Sequence, residues 1–179
     1  MLDQYHILER ISEQEIQQQV RKLARGIAAE YENREPVLIG ILNGVFLFFA
    51  DLVREISIPV KIDFIRAASY GSLDVSSGKI TLTKDVEVPI EGKTVILVED
   101  IVDTGVTLSY LIDHIKKRDP ESVKVCALIN KLERREKEVE IDYCGFEIKE
   151  GFLVGYGLDY NEQFRYLPYI LSLDMRSKS

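Results

Sequence analysis

Short apolar runs alternate along the chain with longer stretches in which apolar residues recur every three or four positions. Three runs are continuously apolar, VLIGIL from Val37, VILV from Val95 and VCALI from Val125, as is typical of strands covered on both faces. Helical spacing is seen at Ile16, Val20, Leu23 and Ile27, and again at Leu108, Leu111, Ile112 and Ile115. The alternation predicts an α/β fold with an open, mainly parallel twisted sheet flanked by helices.

Local signals predict where some of these elements begin and end. Ser12 and Glu15 have the spacing of a capping box at the start of the first helix. The Asn43-Gly44 pair turns the chain from the first apolar run into a second helical pattern, and Pro120 ends the third. Because no internal repeat or linker interrupts the pattern, we expect residues 1–179 to form a single domain.

Composition and charge narrow the classes of function. Of 179 residues, 46% are hydrophobic and 30% charged, which is the balance of a globular domain with a core. The net charge of -7 argues against a nucleic-acid partner but leaves room for a small anionic substrate. Two cysteines are too few for a disulfide framework, the start lacks a signal-peptide layout, and the apolar stretches are too short to span a membrane. We therefore expect a cytoplasmic protein with no membrane partner.

Candidate chemistry follows the second apolar run. Glu99 and Asp100 come directly after it, and the loop 103–107 precedes the third helical pattern. Ligands of parallel sheets collect at the carboxyl ends of strands, and backbone N–H groups at a helix start favour a phosphate. Carboxylates beside a phosphate are costly unless hydroxyl groups or metal ions bind them. The pattern therefore predicts a ribose phosphate site, although two acids that merely end a strand are an alternative.

At this point the sequence resembles a known family. The stretch VILVEDIVDTGVTL, residues 95–108, resembles the phosphoribosyl-pyrophosphate signature of the type I phosphoribosyltransferases. KIDFIRAASYG, residues 61–71, and VGYGLDYNEQFRYLP, residues 154–168, are similar to segments of the hypoxanthine-guanine phosphoribosyltransferases. The resemblance runs from about Val37 to Pro168, with four motifs in the expected order. It implies the type I phosphoribosyltransferase fold, with a small hood formed by N- and C-terminal segments.

The resemblance also implies a reaction. Such enzymes carry out purine salvage: they transfer the 5-phosphoribosyl group of phosphoribosyl pyrophosphate to hypoxanthine or guanine, with Mg²⁺ as cofactor. The products are IMP or GMP and pyrophosphate. The proteins that this chain resembles are usually homodimers or homotetramers.

The resemblance divides the acids of the signature between two tasks. Glu99 and Asp100 match residues that bind the ribose hydroxyls, directly or through magnesium. Asp103 matches the proposed general base or acid, near N7 of the purine. The 5-phosphate is implied to bind the loop formed by Asp103, Thr104, Gly105, Val106 and Thr107.

Five further residues match purine and pyrophosphate ligands. Lys131 matches the donor to the exocyclic O6, Phe152 the aromatic ring that stacks on the base, and Leu153 the residue whose backbone contacts the edge of the base. Asp159 matches a magnesium ligand beside the purine, and Arg165 an arginine that contacts pyrophosphate. From the residues alone, a solvated lysine, strand core and a surface ion pair are alternatives.

Two loops complete the implied site. Leu42, Asn43 and Gly44 match the pyrophosphate loop, where the family often has a cis peptide between the first two positions. Asn43 is uncharged where some relatives have Lys or Arg, so pyrophosphate binding would rest mainly on backbone N–H groups. Ser69 and Tyr70 match the start of a flexible loop that closes over the site; a surface hairpin would have similar composition.

Three other functions are compatible with parts of this sequence pattern. A xanthine- or guanine-preferring enzyme would share the fold. A non-catalytic regulator that senses phosphoribosyl pyrophosphate and binds nucleic acid would share the phosphate loop. A receiver-like signalling domain also carries acids at strand ends.

The charge-rich segment 132–140 is expected to be a solvated loop. His6, His114 and the segment 169–179 have no implied role beyond packing or exposure.

Overall fold

The structure is a computed structural model that describes residues 6–69 and 80–174. Its elements in chain order are β1 (His6–Ile11), α1 (Glu13–Glu30), β2 (Val37–Ile41), α2 (Phe46–Glu55), β3 (Lys61–Ser69), β4 (Ile80–Lys84), β5 (Thr94–Val102), α3 (Val106–Lys116), β6 (Ser122–Lys131), β7 (Tyr143–Ile148), β8 (Phe152–Val154) and β9 (Ile170–Asp174). They form one six-stranded sheet, one three-stranded sheet and the helices that cover the larger sheet.

The larger sheet has the strand order β4-β3-β2-β5-β6-β7. Neighbouring strands are parallel except at the edge, where β4 runs antiparallel to β3. The predicted mainly parallel sheet is confirmed. Since β5 lies at the centre of the parallel part, its carboxyl end meets those of β2 and β6 at one edge, where ligands bind in folds of this kind.

Helices cover both faces of this sheet, which explains the continuously apolar strands. On β5, Ile96 and Val98 face the core with α1 and α2, while Val95 and Leu97 face the core with α3. All four side chains are buried. A strand with two buried faces has no polar alternation, and this is the pattern that the sequence presents.

The smaller sheet joins the two ends of the described chain. Its order is β1-β9-β8, with both pairings antiparallel. It has a small core of its own, and the hydroxyl of Tyr156 donates to Asp51 of α2 at 2.7 Å. This sheet is the predicted hood. Its strands β1 and β9, like β7 of the larger sheet, have no clear signal in the sequence pattern.

The predicted start of α1 is also confirmed. Ser12 and Glu15 form the capping box of α1, with the backbone N–H of Ser12 donating to the Glu15 carboxylate at 2.8 Å. Cys126 is buried, and burial raises the pKa of its thiol. His114 is half-buried and lies 3.0 Å from a carboxylate oxygen of Asp85. Within the described ranges, no helix has the length and apolar character needed to cross a membrane.

Candidate active site

A cavity of about 530 Å³ lies at the carboxyl ends of β2, β5 and β6. Most of the predicted site residues line it, namely Leu42, Asn43, Gly44, Glu99, Asp100, Asp103, Thr104, Gly105, Thr107, Lys131, Phe152, Leu153, Asp159 and Arg165. Val106 is the first residue of α3 and is not part of the cavity wall. Ser69 ends β3, and the predicted flexible loop that begins at Ser69 and Tyr70 continues outside the described residues.

The loop after β5 is held in shape by glycine and by backbone hydrogen bonds. Gly105 has a φ of 78°, a left-handed conformation, and a Cβ at this position would overlap the carbonyl oxygen of Lys137. The N–H of Ser109 donates to the Gly105 carbonyl at 2.9 Å. The Val106 N–H donates to the Thr104 hydroxyl at 3.3 Å, so that amide already has a partner inside the loop. The turn therefore presents its remaining N–H groups at the start of α3, where an anion is stabilised.

The acid pair at the end of β5 is strongly desolvated. Asp100 is buried, with 7% of its surface exposed, and Glu99 is half-buried. Burial raises the pKa of both carboxyl groups, and for Glu99 the neighbouring Asp100 carboxylate raises it further. A Cβ on Gly44 would overlap the Asp100 carboxylate, so the loop after β2 lies directly against this acid. Such a pair favours hydroxyl or cation partners that restore its lost hydration.

Two cations flank Asp103. Its Oδ1 is buried and has no hydrogen-bond partner within residues 6–69 and 80–174. The Lys131 Nζ lies 4.0 Å from this oxygen, and the Arg134 guanidinium lies 3.5 Å from Oδ2. Lys131 is itself buried and forms a closer ion pair with Glu133, at 3.2 Å. The unpaired oxygen is thus available to accept a proton or a hydrogen bond from a ligand in the cavity.

The loop after β2 joins the sheet to the hood. The peptide bond between Leu42 and Asn43 is cis. The Leu42 N–H donates to the Ile65 carbonyl at 2.9 Å and extends the pairing of β2 with β3 by one residue. On the other side, a Cβ on Gly157 would overlap the carbonyl oxygen of Gly44. The predicted pyrophosphate loop is therefore confined between β3 and the turn that follows β8.

The hood supplies the last wall of the cavity. The Phe152 ring meets Tyr160 edge to face, with centroids 5.4 Å apart, and Leu153 is buried. Asp159 and Arg165 form an ion pair of 2.8 Å, and Arg165 also donates to the carbonyl of Gly157 at 2.8 Å. The resemblance implies that these two charges are separate ligands, whereas the structure contains the ion pair that the residues alone left as the alternative.

Comparisons with known proteins show which family the chain belongs to. The phosphoribosyl transferase domain family matches residues 8–161. The chain belongs to this phosphoribosyltransferase family. It is 42% identical over 160 residues to the hypoxanthine-guanine phosphoribosyltransferase of Bacillus subtilis, covering 89% of each chain. It is 45% identical to a crystal structure of a hypoxanthine-guanine phosphoribosyltransferase from Bacillus anthracis, with a TM-score of 0.87 over 94% of this chain and 100% of that one.

Some relatives are much longer proteins. The chain is 46% identical over 160 residues to the bifunctional protein TilS/HprT of Listeria monocytogenes, which covers 89% of this chain. It spans 25% of the length of that relative. The likeness therefore concerns the phosphoribosyltransferase part of the longer protein.

One residue that supports the walls of this candidate site was missed by the sequence pattern. Arg135 lies in the charge-rich segment, yet it is half-buried and its guanidinium donates to three backbone carbonyls and one side chain. The acceptors are Asp103 O at 2.9 Å, Val102 O at 3.1 Å, Lys131 O at 3.1 Å and Asn130 Oδ1 at 2.6 Å. The segment is mostly exposed, as predicted, but Arg135 is an exception because the segment folds back onto loop 103–107.

Backbone hydrogen bonds also connect the segment after β6 to the loop after β5. The N–H groups of Glu136 and Lys137 both donate to the Thr104 carbonyl at 2.9 Å. Arg135 thus ties the end of β5, which carries Asp103, to the end of β6, which carries Lys131. An arginine doublet in a charge run gives no sign of this, since Arg134 beside it is largely exposed.

Replacing Arg135 with alanine should affect both stability and the phosphate loop. The lost bonds leave half-buried carbonyls without a donor, which costs about 1–3 kcal/mol of unfolding free energy. Because loop 103–107 loses its support, kcat/KM for a substrate bound at this loop should fall about tenfold or more. Urea unfolding and steady-state kinetics measure the two effects.

Arg118 provides a matched control. It is also half-buried and donates to a backbone carbonyl, Val86 O at 2.7 Å, and to Asp85 at 2.6 Å, but at the far end of α3. Arg118→Ala should lower stability to a similar extent while the folded protein keeps its kinetics. Unchanged kinetics in Arg135→Ala would mean that Arg135 has only a structural role.

Proposed function

We propose that this chain transfers the 5-phosphoribosyl group of phosphoribosyl pyrophosphate to hypoxanthine or guanine, giving IMP or GMP and pyrophosphate. The observation that carries the proposal is the arrangement of the cavity. A phosphate loop, a desolvated acid pair, an unpaired aspartate oxygen and a buried lysine surround one space of substrate size. The family membership supports the same reaction.

The roles follow from the chemistry of each group. The N–H groups of loop 103–107 and the Thr107 hydroxyl bind the 5-phosphate, and Glu99 and Asp100 accept hydrogen bonds from the ribose hydroxyls. As the bond between the sugar carbon and pyrophosphate breaks, positive charge develops on the sugar, and nearby carboxylates stabilise it more than they stabilise the ground state. Asp103 accepts the proton that the purine loses when its ring nitrogen bonds to the sugar.

Magnesium fits this acid pair in combination with the substrate. Within the described ranges there is no group of three or more His, Cys, Asp or Glu side chains placed to hold a metal ion. Mg²⁺, however, usually takes one or two carboxylates and completes its shell with water and substrate phosphates. Glu99 and Asp100 suit that role, and Asp159 would suit it separately, on the hood side of the cavity, after it leaves Arg165. When bound, the ion would neutralise charge on the pyrophosphate group.

Metal removal is therefore expected to abolish the reaction. Treatment with excess chelator should reduce pyrophosphate release to background, and added Mg²⁺ should restore it, because the acid pair and the anionic substrate repel each other without a cation. Full activity in chelator would show that the metal is not needed.

The base series tests the proposed function and the role of Lys131 together. Lysine has only donors, so it suits the O6 of hypoxanthine or guanine and opposes the amino group of adenine. Leaving that buried donor unpaired costs about 1–3 kcal/mol, so adenine should be used at least about tenfold less efficiently. The measurement is pyrophosphate release with hypoxanthine, guanine, xanthine and adenine at fixed magnesium.

Each result of this series has a distinct meaning. Preference for xanthine over hypoxanthine would favour the xanthine-using alternative, and no release with any base would sink the proposed reaction. Equal use of adenine and hypoxanthine would remove Lys131 from base recognition. As a matched variant, Lys131→Gln can both donate and accept, so it should narrow the difference between the two bases. Assembly as a homodimer or homotetramer and a cytoplasmic location stay predictions.

A further inference from the structure

Two basic side chains of the cavity wall, Arg66 and Arg134, have no role in the sequence motifs or in the proposed mechanism. Arg66 lies on β3 and lines the cavity together with Leu42, Asn43 and Gly44. The pairing of Ile41 with Ile65 and the hydrogen bond from Leu42 N–H to Ile65 O place Arg66 level with the start of the loop after β2. Its side chain is exposed to the cavity and solvent rather than packed into the core.

Arg66 differs from the other cations of this cavity in having no counter-charge. Lys131 is paired with Glu133, Arg134 with Asp103, and Arg165 with Asp159. The Arg66 guanidinium, by contrast, forms no ion pair or side-chain hydrogen bond with any residue of 6–69 or 80–174. Binding an anion at Arg66 therefore breaks no existing pair, whereas each of the other cations would first have to leave an acid.

The loop beside Arg66 also lacks a charge of its own. Asn43 is neutral, so the loop offers an anion only dipoles. Asp100, whose carboxylate lies against Gly44, has charge of the same sign as pyrophosphate when it is ionised. Lys84, on the strand next to β3, is already bound to Asp63 at 3.0 Å and to Glu87 at 3.1 Å.

We propose that Arg66 binds the pyrophosphate group of the substrate and supplies the positive charge that Asn43 does not provide. A planar guanidinium donates to two phosphoryl oxygens at once, which suits a diphosphate better than a single point charge does. The proposal rests on the proposed function and adds a binding residue from β3, a strand outside the signature motifs for pyrophosphate.

The reverse reaction uses pyrophosphate and IMP as substrates. Its kinetics therefore distinguish pyrophosphate binding by Arg66 from a general disturbance of the site. In Arg66→Gln, the KM for pyrophosphate and the KM for phosphoribosyl pyrophosphate should both rise about 10- to 100-fold, the size expected for a lost charge-assisted hydrogen bond. The KM for IMP should stay near the wild-type value, because IMP lacks the pyrophosphate group. Arg34→Gln, which makes the same charge change at an exposed site paired with Glu121, should alter none of these constants.

A positive charge placed at position 43 should compensate for the charge removed at Arg66. Adding Asn43→Lys to Arg66→Gln should recover most of the lost affinity, since both side chains border the same loop. A KM for pyrophosphate unchanged in Arg66→Gln, or an equal rise in the KM for IMP, would overturn the proposal.

A binding measurement that does not require catalysis tests the role of Arg66 separately from the proposed function. Calorimetric titration with magnesium pyrophosphate should show the same 10- to 100-fold weakening in Arg66→Gln relative to the wild-type protein. If the wild-type protein transfers no phosphoribosyl group, the proposed function fails, and this titration still decides the role of Arg66. Equal binding by both proteins would refute that role.

Discussion

Replacing Asp103 with asparagine should lower kcat by about 10²–10⁴-fold, the usual contribution of a positioned general acid or base. The amide has nearly the same size as the carboxyl group but cannot take a proton from the purine. Because Asp103 Oδ1 has no hydrogen-bond partner among the described residues, the change breaks no hydrogen bond within them at that atom. The KM for phosphoribosyl pyrophosphate should change little, so the loss falls on turnover.

Steady-state kinetics with both substrates measure this effect. Asp113→Asn is a suitable control, because it removes the same charge from an exposed position on α3, the helix that follows the phosphate loop. That variant should retain wild-type turnover. If Asp103→Asn kept turnover within a few-fold of wild type, another group would have to accept the proton.

Replacing Gly105 with alanine should be the most damaging single-methyl change in the loop. The residue has a φ of 78°, which costs alanine about 1–2 kcal/mol, and the new Cβ would overlap the backbone carbonyl of Lys137. The loop must therefore shift, and each charge-assisted hydrogen bond lost from the phosphate costs about 1.5–3 kcal/mol. We expect kcat/KM for phosphoribosyl pyrophosphate to fall at least about 100-fold, together with a loss of stability.

A matched change at Gly92 distinguishes the cost of a positive φ from the cost of the steric overlap at Gly105. It also has a positive φ, 63°, but a Cβ there would meet no atom within 4 Å. Gly92→Ala should therefore cost only the conformational term of about 1–2 kcal/mol and leave the kinetics of the folded protein intact. Paired unfolding curves and kinetics for the two variants test this; a Gly105→Ala enzyme with normal kcat/KM would contradict the phosphate-binding role of the loop.

The interplay between Asp103 and its neighbours shows why motif positions alone do not describe this site. Its motif places a carboxylate near the purine, whereas the structure adds Lys131 and Arg134 on either side. Those cations come from the end of β6 and the segment after it, which meet the phosphate loop only because β5 and β6 are neighbours in the sheet. The number of residues between these groups along the chain does not show that they are close in space.

The sequence by itself determined the elements whose signals are local. The capping box at Ser12 needs only residues within one helical turn, and the doubly buried strand β5 is visible as a continuous apolar run. The glycine turn before α3 belongs to the same class, because Gly105 and the start of the helical pattern are adjacent in the sequence.

Only the tertiary structure decided which distant groups meet. The strands β1 and β9 form the hood by pairing across nearly the whole chain, and a pattern of periodicity cannot report such a partner. The hydrogen bonds of Arg135 to the ends of β5 and β6, and the position of Arg66 beside the loop after β2, arise in the same way. Periodicity records which faces are buried, whereas the partner of a charged side chain depends on strand order and on how loops fold over the sheet edge.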